Sequence, residues 1–282
     1  MKNKLILVEG IPGSGKSTTS SKIANHLKEK GVNVKLFNEG DSHPADMAWN
    51  AYIPMDEYNN VLENNPKYAS SIRENSVLEE NYALVAYTKL NFSPEDKELV
   101  KFFQAHEVSD GRASLEVFKK LHFKRWTDFG QNVDGDSVVI FECSYLQNHV
   151  NELMGAHNKD KDFIISYMLD LIKTVKHLNP KLIYLSQENV RETISRVSKE
   201  RVSSDKENWP DWIDMVIKYV EDSEYGKVNN LKGFDGVIKF FEDRKKIEFS
   251  VIDKLDIDKS IVVNTDYNWN DVFTDVLKAL EE

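Results

Sequence analysis

One glycine-rich segment constrains this chain more than any other feature: Gly10-Ile11-Pro12-Gly13-Ser14-Gly15-Lys16-Ser17-Thr18. It matches the pattern G-x-x-x-x-G-K-[S/T] in full. Glycines allow a backbone to wrap around a phosphate with its N–H groups pointing inward. The apolar residues 4–8 before the segment predict a buried strand, and residues 17–30 after it predict a helix, whose N-terminus favours an anion. The segment therefore predicts a phosphate-binding loop between a strand and a helix.

Five short apolar segments predict the strands of one sheet. They span residues 4–8, 32–37, 137–141, 181–185 and 260–263. Apolar runs without alternation are typical of strands that are covered on both faces, as in a parallel sheet. Helical stretches lie between them, which favours right-handed crossover connections. The pattern predicts an α/β fold with a doubly wound, five-stranded parallel sheet.

The spacing of these strands is uneven, and two insertions account for this. We interpret residues 1–282 as a single domain that carries helical insertions at 44–136 and 205–258. Helices are predicted at 76–90, 115–129, 209–220 and 234–255, the first with a capping box formed by Ser76 and Glu79. The basic run Arg244-Lys245-Lys246 is interpreted as part of a solvated helix face.

Composition and charge exclude several classes of protein. The chain has 37 Lys and Arg against 47 Asp and Glu, and the net charge of −10 disfavours a nucleic-acid partner. No apolar run approaches the roughly 20 residues that span a bilayer, and the first residues lack the apolar length of a signal peptide. The single cysteine, Cys143, excludes an internal disulfide and a multi-cysteine zinc site. We expect a cytoplasmic protein with no membrane partner, and the apolar helices of the insertions could form a homodimer face.

The phosphate loop predicts specific chemistry for its residues. Lys16 would reach the β- and γ-phosphates of a nucleotide, and the Ser17 hydroxyl would bind Mg²⁺. Glu142 ends the apolar run 138–141, where a carboxylate could hold the same ion. The ligands predicted are ATP and Mg²⁺, although GTP stays open. The predicted nucleotide-binding residues are Gly10, Gly13, Ser14, Gly15, Lys16, Ser17 and Thr18.

The segment 8–18 and the strand plan resemble P-loop kinases of the nucleoside and nucleotide type, especially the deoxynucleoside kinase and thymidylate kinase group. The resemblance covers about half of the chain and implies a P-loop NTPase fold. It implies transfer of the γ-phosphoryl group of ATP to a hydroxyl or phosphate of a small-molecule acceptor, with a nucleoside-like acceptor favoured. It also implies an acid after the second strand that acts as general base or substrate anchor. Glu39 is our first choice for that role, and Asp41 is the second.

The resemblance further implies a lid at 187–204 whose arginines close over the phosphates. Arg191, Arg196 and Arg201 are five residues apart, so they spiral around a helix instead of sharing one face. We expect Arg196 and Arg201 to reach the phosphates. The family has an arginine after the acid of its third strand, whereas Cys143 follows Glu142 here.

The acceptor side is placed in the insertion 44–136 and the residues just before it. His43, Trp49, Tyr52 and Arg125 are candidates for binding the acceptor, with Arg125 as a substitute for the missing arginine. His43 could be a base or a structural loop histidine. Trp49 and Tyr52 are three residues apart and would share a helix face, which leaves core packing and stacking on the acceptor both open.

Three other functions remain open at this point. The chain could be a nucleotide-operated NTPase or regulatory switch that moves a partner and transfers phosphate only to water. It could also be a kinase that acts on a macromolecule, or a phosphate-binding protein without turnover. A guanine-reading Asn-Lys-x-Asp segment is absent from the sequence, which weighs against a GTP-operated switch.

Overall fold

The computed structural model describes residues 2–40, 42–93, 95–207, 209–265 and 267–281. These residues divide into two compact units, one containing 1–39 and 126–282 and the other containing 40–125. The larger unit holds the phosphate loop. The sequence predicts a single domain, but the residues of the smaller unit bury a hydrophobic core of their own, which includes Ile53, Tyr58, Val85 and Phe103.

Eight strands and twelve α-helices make up the described part of the chain. The strands are β1 (Leu5–Glu9), β2 (Val34–Phe37), β3 (Asn50–Pro54), β4 (Ser76–Leu78), β5 (Tyr82–Ala86), β6 (Val138–Glu142), β7 (Lys181–Gln187) and β8 (Asp258–Asn264). The helices are α1 (Lys16–Glu29), α2 (Met55–Asn64), α3 (Ala69–Glu74), α4 (Lys97–Ala105), α5 (Leu115–Asn132), α6 (Leu146–Val150), α7 (Lys161–Lys173), α8 (Val190–Glu200), α9 (Trp212–Asp222), α10 (Glu224–Val228), α11 (Gly233–Lys254) and α12 (Trp269–Glu281). Residues Tyr87–Lys89 and Lys176–Leu178 form short 3₁₀ turns, and Asn151–Ala156 form a π-helical turn after α6.

The larger unit contains the predicted five-stranded parallel sheet, in the order β2-β6-β1-β7-β8. Every residue of β1, β6 and β7 is buried, as expected for strands covered on both faces. Ile6, Val8 and Ile183 on one face of the sheet pack with Ile23 of α1 and Val276 of α12. The doubly wound α/β fold is therefore confirmed. Because β1 is the central strand, its carboxyl end lies between those of β6 and β7.

The smaller unit contains an antiparallel sheet with the strand order β3-β5-β4. The predicted helix over 76–90 is wrong, because β4 and β5 lie there. Ser76 does not cap a new helix. Its hydroxyl donates to the carbonyl of Ile72, at the end of α3, at 2.5 Å. The insertion 44–136 is therefore a mixed segment of strands and helices.

The helices predicted in the second insertion are present. Residues 209–220 and 234–255 correspond to α9 and α11, and residues 17–30 correspond to α1. Within the described ranges, no helix is both long enough and apolar enough to cross a bilayer.

Candidate functional site

The loop between β1 and α1 adopts a backbone that only glycine accepts easily. Gly13 and Gly15 have φ angles of +80° and +85°. A Cβ atom at Gly13 would lie 2.1 Å from the Val197 side chain, and one at Gly15 would lie 2.6 Å from the Trp269 ring. A strand, this loop and a helix in succession form the arrangement of P-loop NTPases. The sheet and the loop together give the larger unit the fold of P-loop NTPases.

Two polar side chains of the loop are oriented for a bound group. Lys16 is buried, and its ammonium donates to the carbonyl of Ile11 at 3.1 Å, across the loop. The Ser14 hydroxyl is buried and has no hydrogen-bond partner in the described part of the chain. Buried polar groups rarely lack a partner. The loop residues therefore fit a bound phosphate, which would supply the missing acceptor.

Ser17 and Glu142 meet at the start of α1 and the end of β6. The Ser17 hydroxyl donates to Glu142 Oε1 at 3.2 Å, and Glu142 Oε2 accepts the backbone N–H of Glu39 at 3.1 Å. Hydroxyl and carboxylate oxygens suit Mg²⁺, which proteins commonly hold through one or two side chains while phosphates and waters complete the shell. Within the described ranges, no group of three or more His, Cys, Asp or Glu residues could hold a metal. The pair thus fits a Mg²⁺ ion that is bound together with phosphates.

Glu39 follows β2 and lies beside this pair. The side-chain amide of Gln147 donates to Glu39 Oε1 at 3.5 Å. Glu39 is exposed, yet desolvation by the surrounding protein raises the pKa of its carboxyl, while the charge of Lys16 opposes this. A carboxyl with a raised pKa is suited to accept a proton. Asp41, the second choice for the base, lies outside the described residues.

Glu9 is a buried acid that the sequence analysis did not single out. Its carboxyl oxygens accept the N–H groups of Tyr145 at 2.7 Å and Gln147 at 3.0 Å, at the beginning of α6. Burial raises the pKa of Glu9 to about 8, although these N–H donors act in the opposite direction. The sequence does indicate that Glu9 is buried, because this acid is the last residue of an apolar strand and directly precedes Gly10.

Of the three lid arginines, Arg196 contacts the phosphate loop. It donates to the carbonyl of Gly13 at 2.9 Å, and its guanidinium lies 4.5 Å from the centre of the Tyr267 ring. Arg201 follows the end of α8 and lies 5.4 Å from the Trp212 ring. Arg191 forms an exposed ion pair with Asp235 at 2.6 Å. The contact of Arg196 with the loop is thus observed, whereas the role expected of Arg201 stays a prediction.

His43 and Arg125 are bound to each other in the smaller unit. The Arg125 guanidinium donates to the His43 carbonyl at 2.8 Å, and the His43 ring accepts the backbone N–H of Asp46 at 2.7 Å. Burial lowers the pKa of His43 to about 3. An imidazole with this pKa is a weak proton acceptor at neutral pH, so the geometry favours the structural interpretation of His43.

Trp49 and Tyr52 do not share a helix face, and that prediction is wrong. Trp49 lies in a turn with a φ angle of +62° and is 46% exposed, whereas Tyr52 belongs to β3 and its ring lies 4.7 Å from the Tyr82 ring. Their spacing of three residues fits a helix, but the extended residues 50–54 pair with β5.

Arg244 is a second residue whose role the sequence analysis missed. Its side chain is 2% exposed, so the interpretation of 244–246 as a solvated face is wrong at this position. Its Nε atom lies 3.0 Å from Oε1 of Glu248, one turn along α11. The sequence does contain an indication that Arg244 and Glu248 are buried. Their spacing from Val237, Phe241 and Val251 places them on the same buried stripe of the helix.

Comparison with known proteins finds a family model that matches part of the chain and solved structures that are similar to it. Residues 4–82 match the family described as "Chromatin associated protein KTI12". The thymidylate kinase of Candida albicans is similar in structure, with a TM-score of 0.46, 14% identity and coverage of 99% of this chain and 91% of that one. The thymidylate kinase of Ehrlichia chaffeensis has a TM-score of 0.37 and 16% identity, with coverage of 98% and 97%. Similarity at this level assigns neither a substrate nor an activity to this chain.

Proposed function

We propose that this chain is an ATP-dependent phosphotransferase that acts on a small molecule, with a nucleoside or a nucleotide favoured as acceptor. One observation carries the proposal: two carboxylates with different surroundings lie beside the phosphate loop. Glu142 accepts from the Ser17 hydroxyl and from the backbone N–H of Glu39, whereas the Glu39 carboxyl contacts the side-chain amide of Gln147 at 3.5 Å. A second carboxylate at this place could accept the proton of an acceptor hydroxyl.

The residues of the site would divide the work of phosphoryl transfer. Lys16 and the backbone of the phosphate loop would hold the phosphates of ATP, while Ser17 and Glu142 would hold Mg²⁺. The ion would neutralise charge on the phosphate oxygens. Arg196, on the lid helix α8, would lie over the loop and help to exclude water. Alignment and charge neutralisation supply most of the catalysis in this reaction class.

Glu39 would act as the general base for a hydroxyl acceptor. The acceptor oxygen forms a bond to the γ-phosphorus, while the bond between that phosphorus and the bridging oxygen breaks and ADP leaves. The hydroxyl proton passes to the Glu39 carboxylate. Because the pKa of Glu39 is raised, the carboxylate form, and with it the rate, should increase as the pH rises through that pKa.

The test is a transfer assay with γ-labelled ATP and Mg²⁺. Nucleosides, nucleotides, aminoglycosides and other hydroxylated compounds are added singly, with Lys16→Ala as the blank. Labelled acceptor should form with the unchanged protein only, and Glu39→Gln should lower kcat by about 10²- to 10⁴-fold for a hydroxyl acceptor. Release of free phosphate at one rate, whatever acceptor is present, would refute the small-molecule kinase.

A nucleotide-operated regulatory protein is the second candidate. The match of residues 4–82 to a family described as chromatin associated favours it. This candidate predicts nucleotide turnover without an acceptor and stimulation by a partner protein. The net charge of −10 weighs against direct contact with nucleic acid in either case. Homodimer formation and localisation in the cytoplasm stay predictions.

A further inference from the structure

A line of buried polar side chains joins α11 to the centre of the sheet. Arg244 is 2% exposed, and Glu248 and Tyr184 are fully buried. Glu248 Oε1 lies 3.0 Å from Nε of Arg244, and Glu248 Oε2 accepts the Tyr184 hydroxyl at 2.5 Å. Tyr184 of β7 is paired in register with Glu9, the last residue of β1, so these polar side chains reach the carboxyl end of β1.

The Arg244 guanidinium is incompletely paired. Neither Nε nor Nη2 makes a hydrogen bond within the described part of the chain, and the Phe241 ring covers one face of the group at 5.0 Å. A buried charge without its hydrogen bonds is costly, and native structures usually supply the missing acceptors. A guanidinium presents parallel N–H donors that match the oxygens of phosphate or carboxylate. A bound oxyanion would supply the hydrogen-bond acceptors that Nε and Nη2 of Arg244 lack.

The position of Arg244 separates it from the phosphate loop. Neighbouring residues of a strand point to opposite faces of a sheet. Ile183 packs with Ile23 of α1, the helix that follows the phosphate loop, whereas Tyr184 contacts Glu248 of α11. Arg244 thus approaches from the sheet face opposite α1.

Arg244 contributes to the electrostatic surroundings of Glu39. Lys16, Arg201 and Arg244 each favour the charged form of the Glu39 carboxyl and lower its pKa against the effect of desolvation. Glu39 is therefore within electrostatic reach of Arg244. Gln147 connects Glu39 with the carboxyl end of β1, because its side chain contacts Glu39 and its backbone N–H donates to Glu9.

We infer that Arg244 binds an oxyanion of the phosphoryl acceptor, so that the acceptor is a phosphorylated or carboxylated small molecule and not a neutral alcohol. This inference rests on the proposed function, which it deepens by naming the acceptor class. Glu248 is a positioning residue that holds the guanidinium, and Arg244 is the binding residue. The γ-phosphate of the nucleotide is the other possible source of an oxyanion, and the experiment separates the two.

The first experiment uses calorimetry on the whole protein with saturating Mg²⁺ and a non-hydrolysable ATP analogue, which occupies the phosphate loop. Orthophosphate is then titrated as the probe. Arg244→Gln should weaken phosphate binding at least tenfold, and Arg244→Lys should weaken it less. Lys246→Gln is the matched control, because Lys246 lies two residues further along α11 with a 71% exposed side chain, and it should bind like the unchanged protein. Equal phosphate binding by all four proteins overturns the inference.

Two further variants separate binding from folding. Removing Arg244 alone leaves the Glu248 charge buried, which could unfold the protein. The double variant Arg244→Gln/Glu248→Gln removes both charges, so it should keep the melting temperature closer to that of the unchanged protein and still lack phosphate binding. Glu248→Gln alone keeps the guanidinium and should retain most of the binding. If Glu248→Gln loses as much phosphate binding as Arg244→Gln, the effect is structural and the inference is overturned.

A kinetic measurement identifies the source of the oxyanion. With an acceptor found in the transfer assay, Arg244→Gln should raise KM for the acceptor at least tenfold and leave KM for ATP within about twofold. A rise in KM for ATP alone would assign Arg244 to the nucleotide and overturn the inference. If no acceptor is phosphorylated but orthophosphate binding still depends on Arg244, the proposed kinase activity fails while the oxyanion site stands.

Discussion

Glu9 gives a test of how burial and hydrogen bonds compete in the core of the larger unit. The unfolded chain releases the Glu9 proton near pH 4.5, whereas burial raises the pKa of Glu9 in the fold to about 8. Between these values the folded state binds more protons than the unfolded state, so the free energy of unfolding falls as the pH rises. At 1.36 kcal/mol per unit of pKa, the loss attributed to Glu9 is about 5 kcal/mol between pH 4.5 and pH 8.

Glu9→Gln removes this pH dependence, because glutamine does not titrate. The variant also loses one acceptor for the N–H groups of Tyr145 and Gln147, which costs about 1 to 3 kcal/mol at every pH. We therefore expect Glu9→Gln to be less stable than the unchanged protein at pH 5 and equally or more stable at pH 8.

Urea denaturation from pH 5 to pH 8 measures this difference. Both proteins are followed by circular dichroism, and the two curves of unfolding free energy against pH are compared. Glu281→Gln, which changes a side chain 69% exposed in the same unit, is the control and should follow the unchanged protein. Parallel curves for Glu9→Gln and the unchanged protein would refute the reasoning. They would mean that the N–H donors outweigh burial and keep Glu9 charged in the fold.

Three further predictions concern single contacts. Gly13→Ala should weaken ATP binding in calorimetry at least tenfold, because the added methyl meets Val197 and the φ angle is +80°; binding equal to that of the unchanged protein would contradict the loop geometry. Tyr184→Phe should lower the free energy of unfolding by about 1 to 3 kcal/mol, since an oxygen of buried Glu248 loses its donor. A change below 0.5 kcal/mol in urea denaturation would show that this hydrogen bond is weak. Asp160→Ala should lower stability by about 1 kcal/mol through loss of the N-cap of α7, and Asp160→Asn should restore most of it.

The features that the sequence predicts well are those that local chemistry determines. The buried strands of the five-stranded sheet carry unbroken apolar runs, and the phosphate loop needs glycine at Gly13 and Gly15 whatever surrounds it. The prediction of a helix over 76–90 is wrong because a segment whose apolar residues fit a helical spacing can still fold as a β-hairpin. There, Leu84 and Val85 also pair with β3, at Tyr52 and Ala51, and no local window of sequence contains that contact.

The candidate site was predictable only in part, for a related reason. Ser17 follows the glycines of the phosphate loop, and Glu142 ends the apolar strand β6. The sequence predicts both elements clearly. Arg244 and Glu248 look like surface residues in the sequence, because an arginine and a glutamate four residues apart usually form an exposed pair. Their spacing from Val237, Phe241 and Val251 places both on the buried stripe of α11, and the structure shows that the Tyr184 hydroxyl donates to Glu248.

The strand order also has a consequence for how the chain is assembled during synthesis. β1 is made first, but its two neighbours in the sheet, β6 and β7, begin at Val138 and Lys181. Until those segments leave the ribosome, the apolar strand β1 has no partner on either edge. Pairing across so long a stretch of chain is slow, and unpaired apolar strands associate with chaperones or with one another. In a ribosome-bound fragment that stops before Val138, β1 and the phosphate loop should therefore stay unfolded. Nucleotide binding should appear only after β7 has emerged.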